Sequence, residues 1–259
     1  MIAIERSRPH SSVRDALTLI GRGIRLARRN TDALYTGLVL PVILMLLFVE
    51  IVGGAIHTGE AYVDYVVPGA LLLSAGFVSA QTAVTVNQDM TGGMMDRLKS
   101  MDVSGAAVLT GHVLTGMARN LASLLVALAV GLALGFRPHA SSLDWVVALG
   151  IIVLFISAFS WLAAAIGLVT TSPEAAGNVV FAMIFLPYPS SAFVPIDSMP
   201  RWLQGFARNQ PVTPVVNTFR GLLLHLPTGS APLVAVAWCG GLLIVAVTLA
   251  AVLFQRRQG

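Results

Sequence analysis

Apolar side chains in this chain gather into six runs, at residues 33–55, 65–86, 113–134, 145–170, 175–194 and 233–254, and the polar residues collect between them. About 20 consecutive apolar residues, rising ~1.5 Å each, cross the ~30 Å hydrocarbon layer of a bilayer. The pattern therefore predicts an all-α membrane protein with six transmembrane helices. Ahead of the first run, Val13, Leu17, Ile20, Ile24 and Ala27 recur at helical spacing while Arg14, Arg22, Arg25, Arg28 and Arg29 fall on the other side. That arrangement suits an amphipathic helix lying on an anionic lipid surface. Residues 1–30 lack the apolar core of a cleaved signal peptide, so they read as a retained cytoplasmic segment preceding a permease domain at 31–259.

With an even number of spans, both termini share one side. Placing the N-terminus inside puts seven Arg of the head, Arg97 and Lys99 of the second polar stretch, and Arg256 and Arg257 of the tail in the cytoplasm, eleven of the sixteen basic residues. Arg137, Arg201, Arg208 and Arg220 fall outside and Arg119 within the third run. The excess of positive charge on one side selects the orientation with cytoplasmic termini.

The connections are unequal. Residues 87–112 form a polar inner loop long enough for a helix of its own, whereas the turn at Thr171, Ser172, Pro173 and Glu174 is tight. Residues 195–230 hold Pro195, Pro200, Pro211, Pro214 and Pro227 among apolar Trp202, Leu203, Phe206, Phe219, Leu222 and Leu223. Too interrupted to span, this stretch predicts short re-entrant helices between the fifth and sixth spans, tolerated where protein or water meets the broken backbone. Pro187 and Pro189 are expected to kink or end the fifth helix near its outer mouth.

Composition agrees with a membrane chain. It is 56% hydrophobic and 11% charged, with mean hydropathy +0.81, against about 25% charged for a soluble domain. The basic residues lie at the membrane edges, so the high pI does not point to nucleic acid. Cys239 is the single cysteine, which excludes a disulfide framework. His10, His57, His112, His139 and His225 show no helical pairing of metal ligands. Gly93 through Ser100 approaches an ATP-binding phosphate loop around Lys99, but Leu98 occupies the place of the second glycine and no strand precedes it. Catalytic residues and a cofactor on this chain are therefore not expected, and any ATP is hydrolysed elsewhere.

Two ionisable residues fall within or beside the spans. Glu50, about 17 residues into the first run, reads as a carboxylate at the outer boundary, and Arg119, about six residues into the third, as a cation snorkelling to inner headgroups. A carrier driven by protons or sodium generally needs carboxylates or broken helices near the midplane, and the scarcity of such groups directs the driving force to the cytoplasmic loops. Gly131 with Gly135, and Ala163 with Gly167, permit close helix contact within the chain or between copies.

Several segments, in order, resemble one family. Tyr62, Val63, Asp64, Tyr65, Val66, Val67, Pro68 and Gly69 enter the second span. Gln88, Asp89 and Gly92, then Asp96 through Ser100, Val103 and Ser104 form the inner loop. Ser172 through Ala176 form the next inner turn. Ser191 through Pro195, Ser198 through Pro200, Asn209 through Thr213, and Arg220 form the outer segment. Together they resemble the type 2 permeases of ABC transporters, the daunorubicin-resistance kind of exporter subunit, over about residues 30 to 225. Asp102 stands where that family has a proline, and Gln88 with Asp89 where it has an acidic pair.

The resemblance implies two such subunits, identical or homologous, with two ATPase subunits beneath them that carry ATP and magnesium. Residues about 90 to 105 would be a coupling helix, with Asp89, Gly92, Arg97, Lys99 and Asp102 at the ATPase contact and Pro173 and Glu174 in the second inner turn. Pro195, Pro200, Pro211 and Arg220 would belong to the outer re-entrant cap. The implied activity is export of an amphipathic, drug-like or lipid-like substrate across a bacterial cytoplasmic membrane. Export of a lipid-linked glycan is the second reading within the family. An autonomous carrier or channel, and a membrane anchor without transport, are the rivals outside it.

Overall fold

The computed structural model describes residues 39, 42–52, 61–92 and 105–258. The amphipathic segment expected at 1–30, about half of the first run, and Arg97, Lys99 and Asp102 lie outside them. Every regular element among the described residues is helical. The end of the first run is helical from 42 and continues as the π-helix Leu47–Val52, which carries exposed Glu50. Seven α-helices follow: α1 (Tyr62–Thr91), α2 (Gly105–Ala133), α3 (Ser142–Val169), α4 (Pro173–Ile184), α5 (Arg201–Asn209), α6 (Val212–Leu224) and α7 (Ala231–Gln258).

Four of these, α1, α2, α3 and α7, are long and apolar enough to cross a membrane. The fifth run behaves differently from its apolar pattern. Only Pro173–Ile184 is helical, 12 residues or about 18 Å of rise, and turns occupy 185–193. Proline disfavours the helical conformation in the residue before it and cannot donate to the preceding turn. Pro187 and Pro189 accordingly follow the end of α4 at once.

α1 is the most buried of the long helices and packs against α2, α3, α4 and α6. It runs antiparallel to α2, as shown by Ser74 opposite Ser123 and Ser79 opposite Asn120. It runs parallel to α3, where Ser79 meets Ser160 and Asn87 reaches Gly167. The crossing with α3 is tight, because a Cβ on Gly167 would stand 2.4 Å from the Ala83 carbonyl oxygen. Ala163, one turn earlier, is fully buried. The small pair at 163 and 167 thus serves contact within the chain.

Gly131 lies on Val67 of α1, but Gly135 packs on nothing and instead takes φ +103. There it ends α2: Phe136 N–H returns to the Gly131 carbonyl, the left-handed helix stop that glycine makes without steric cost. At the start of α3, Ser141 and Asp144 form a reciprocal capping box, the Ser141 hydroxyl accepting from Asp144 N–H and the Asp144 carboxylate accepting from Ser141 N–H at 2.9 Å.

Candidate functional site

Polar chemistry concentrates at the two ends of the bundle and in one seam between. At the end where α1 starts, three stretches far apart in sequence converge. The Tyr62 hydroxyl donates to the Phe193 carbonyl at 3.0 Å, and Phe193 stacks on Phe48 from the first run and on Tyr188. Gly69 makes room for this turn, since a Cβ there would come within 2.5 Å of the Ala192 carbonyl oxygen.

Arg220 of α6 joins the three. Its guanidinium lies 3.7 Å from the centre of the Tyr65 ring, donates to the Tyr65 carbonyl at 2.9 and 3.2 Å, to the Ser191 carbonyl at 2.7 Å and to Asn217 Oδ1 at 3.3 Å. The Ser191 hydroxyl donates to the same Asn217 oxygen at 2.6 Å. Arg220 is 9% exposed, and its planar fork reaches several acceptors at once, which a lysine could not do.

Three prolines of the outer segment each precede an element. Pro195 precedes the 3₁₀ turn Ile196–Ser198, Pro200 precedes α5 and Pro211 precedes α6. A helix start needs no N–H from these positions, so proline costs nothing there. α6 is buried along most of its length, whereas α5 leaves Trp202 and Phe206 exposed and pairs Arg208 with Asp197 at 2.7 Å. The last residue of the region, His225, takes a left-handed conformation at φ 56 and closes α6.

The opposite end holds the described part of the predicted inner loop. Asp89 pairs with His112 of α2 at 2.9 Å, and Gly92 closes α1 by donating to the Gln88 carbonyl. Asn87 extends its amide to the Gly167 carbonyl at 3.1 Å and to the Thr170 carbonyl at 2.6 Å, tying the end of α1 to the end of α3. One step beyond, Ser172 accepts from Ala175 N–H, and Pro173 and Glu174 form the first turn of α4. The Glu174 carboxyl is held below its usual range by its own backbone N–H and the Ser172 hydroxyl. Thus the structure brings Asp89, Gly92, Pro173 and Glu174 to one end, with Asn87 between the two groups.

Between the ends, the buried face of α1 carries Ser74, Ser79, Thr82 and Asn87, which meet Ser123 and Asn120 of α2 and Ser160 of α3. Arg119 adjoins this seam. Because α2 begins at Gly105 rather than at the start of the apolar run, Arg119 sits 14 positions from each end of the helix. Sequence reasoning named Tyr65 only within the motif entering the second span and did not single out Asn87, Asn120 or Asn217. Their signal was present as polar residues recurring on one face of an otherwise apolar helix, which marks a contact between helices in lipid.

Comparison with known proteins agrees with these features. Residues 14–224 match the family model for the ABC-2 type transporter. A daunorubicin resistance ABC transporter permease protein of Streptomyces coeruleorubidus is 27% identical over 221 residues, 85% of this chain and 78% of that protein. A probable doxorubicin resistance ABC transporter permease protein of Mycobacterium tuberculosis is 24% identical over 245 residues, 93% of this chain and 89% of that protein. With four helices able to cross a membrane and a family match over most of its length, this chain is a multi-pass membrane protein belonging to the ABC-2 type transporter family.

Proposed function

We propose that the chain is the transmembrane permease subunit of an ATP-driven exporter, moving an amphipathic drug-like or lipid-like molecule out across the cytoplasmic membrane with ATP hydrolysed on a separate subunit. Family membership carries the reading, together with the gathering of both polar turns at the Thr91 end of the bundle. In this reading the first run and α4 with its following turns complete six spans, and both termini are cytoplasmic. The amphipathic segment at 1–30 lies along the inner leaflet. Two permease subunits, identical or homologous, flank the path.

The Thr91 end then faces the cytoplasm. Asp89 and Gly92 lead into a coupling segment over about residues 90 to 105, where Arg97, Lys99 and Asp102 meet the ATPase, and Pro173 and Glu174 stand beside it. A push on that segment reaches α1 directly and is shared with α2 through the Asp89–His112 pair and with α3 through Asn87. At the Tyr62 end, α5 and α6 cap the path in the outer leaflet. Trp202 and Phe206 on the exposed side of α5 suit the boundary between headgroups and acyl chains, and Arg220 holds the cap to α1.

The test is co-purification of the tagged chain, expressed with its neighbouring genes, followed by vanadate-sensitive ATP hydrolysis. The expected result is a stoichiometric ATPase subunit, and reversal of charge at Arg97 and Lys99 abolishes transport while leaving membrane insertion intact. Transport in liposomes by the chain alone, without ATP, would replace this reading with an autonomous carrier.

A further inference from the structure

Among the described residues Arg119 has a buried guanidinium nitrogen without a hydrogen-bond partner, unlike Arg220, Arg137 and Arg208. Arg220 is surrounded by carbonyl oxygens and a ring, Arg137 donates to the Leu132 and Phe136 carbonyls, and Arg208 pairs with Asp197. Among the described residues no carboxylate pairs with Arg119, and its buried Nε has no hydrogen-bond partner. Enclosure makes this costly. Arg119 lies 14 positions from each end of α2 and seven positions, ~10 Å of rise, from His112 at the polar end, with its Nε enclosed by the bundle. A cation held in that position is expected to meet an opposite charge.

The surroundings favour an anion that arrives with an apolar tail. On α2, the row Gly116, Asn120, Ser123 and Ala127 turns toward α1, while Ala118, Ala122, Leu125, Val126 and Ala129 form an exposed apolar row. Arg119 stands on the border between the two. On the α1 side, the buried Thr82 hydroxyl also lacks a hydrogen-bond partner. It lies at the level of Gly116, where a Cβ would fall 2.5 Å from its Oγ1. A second unpartnered polar group therefore lies at the α1–α2 contact, one turn along α2 from Arg119.

We propose that Arg119, with the Thr82 hydroxyl, forms a binding site for the anionic headgroup, phosphate or carboxylate, of an amphiphile whose tail lies along the exposed row of α2. The site assigns a cargo class to the exporter and rests on that reading. Charge complementarity selects the headgroup, and the apolar row selects the tail. The guanidinium stays charged at any physiological pH, so the site would not release its ligand by titration. Release would follow from movement of α2 against α1, to which the Asp89–His112 pair couples the ATPase end.

The test uses the purified permease–ATPase complex in phosphatidylcholine nanodiscs and reads vanadate-sensitive ATP hydrolysis. Dodecyl phosphate is the anionic probe and 1-dodecylglycerol its uncharged counterpart. The expected result is that Arg119→Gln raises the half-saturating concentration of dodecyl phosphate about tenfold or more, equivalent to about 1.4 kcal/mol, while Arg119→Lys retains most of the response. The response to 1-dodecylglycerol stays unchanged in both variants.

Equal responses of wild type and Arg119→Gln to dodecyl phosphate, or a parallel loss for both probes, would overturn the site. If the glutamine variant does not fold, Arg119→Met keeps the test decisive: loss of the anionic response alone in the folded methionine variant supports the site, and a response to dodecyl phosphate equal to wild type, or a parallel loss for both probes, removes it. Adding phosphatidylglycerol identifies the source. Competition in wild type means that a bilayer lipid reaches Arg119, and its absence leaves the free amphiphile. A complex without ATPase activity would remove the exporter reading itself, whereas an active complex indifferent to Arg119 removes only the anion site.

Discussion

α1 and α7 are both long enough to cross a membrane, yet they play opposite parts. In the most apolar stretch of α1, 67% of the residues are buried inside the bundle, against 22% for α7. α1 is also the less hydropathic of the two and carries Ser74, Ser79, Thr82 and Asn87 on buried faces. α7 exposes Leu233, Ile244 and Val245 and keeps small Ala235, Cys239, Ala246 and Ala250 inward. The inversion follows from the solvent. Lipid is as apolar as leucine, so burying leucine gains little there, while polar groups and close backbone contacts hold helices together. In this bundle the polar residues mark the centre and the bulky apolar ones the perimeter.

Damage to the contacts of α1 should therefore outweigh damage to the apolar surface of α7. Arg220→Ala is expected to have the largest effect, because it leaves the carbonyls of Tyr65 and Ser191 without their donor. Hydrogen bonds to charged groups contribute about 1.5–3 kcal/mol each and are not additive, so a loss of about 2–4 kcal/mol is expected. A thermal unfolding midpoint in detergent measures it, and an unchanged midpoint would remove Arg220 as the junction of α1, α6 and the turn at 185–195. Arg220→Lys should fall between, since one ammonium cannot reproduce the fork.

Gly167→Leu comes next. Its side chain has to displace the Ala83 carbonyl backbone, and such overpacking costs about 1–3 kcal/mol. A lower midpoint together with cleavage of the α1–α3 boundary by limited proteolysis would reveal it; tolerance would show that the two helices can separate cheaply. Ile244→Ala, at a position 70% exposed on α7, is expected to change the midpoint by no more than about 0.5 kcal/mol. A large loss there would mean that α7 is covered by another protein surface rather than by lipid, and cross-linking from a cysteine at 244 would identify it.

Much of the architecture was legible because its cause is local. Runs at 65–86, 113–134, 145–170 and 233–254 became α1, α2, α3 and α7, each longer than its run, since polar residues such as Gln88 and Asp89 extend a helix beyond the apolar stretch. The fifth run was less legible: its apolar pattern continues to residue 194, but Pro187 and Pro189 end the helix at Ile184. Apolarity states where a segment prefers to be, while backbone geometry states whether it can be helical there. The role of Arg220 was hidden for a different reason. As one of several basic residues in a proline-rich stretch, it counted as an exterior charge, although its acceptors come from residues 65 and 191.

From sequence alone follow the membrane as solvent, the number and length of the apolar runs, the prolines that open the outer helices, and the resemblance that led to the family. Each depends on residues close together in the chain. Tertiary structure decided that α1 rather than a more apolar helix is the most buried, that Asn87 joins the two turns at one end, and that Gly167 is a crossing point while Gly135 is a helix stop. It also set Arg119 midway along α2 with a buried Nε that has no hydrogen-bond partner among the described residues. Those outcomes depend on which faces meet across long separations, and hydropathy, which weighs each residue by itself, carries no information about its partner.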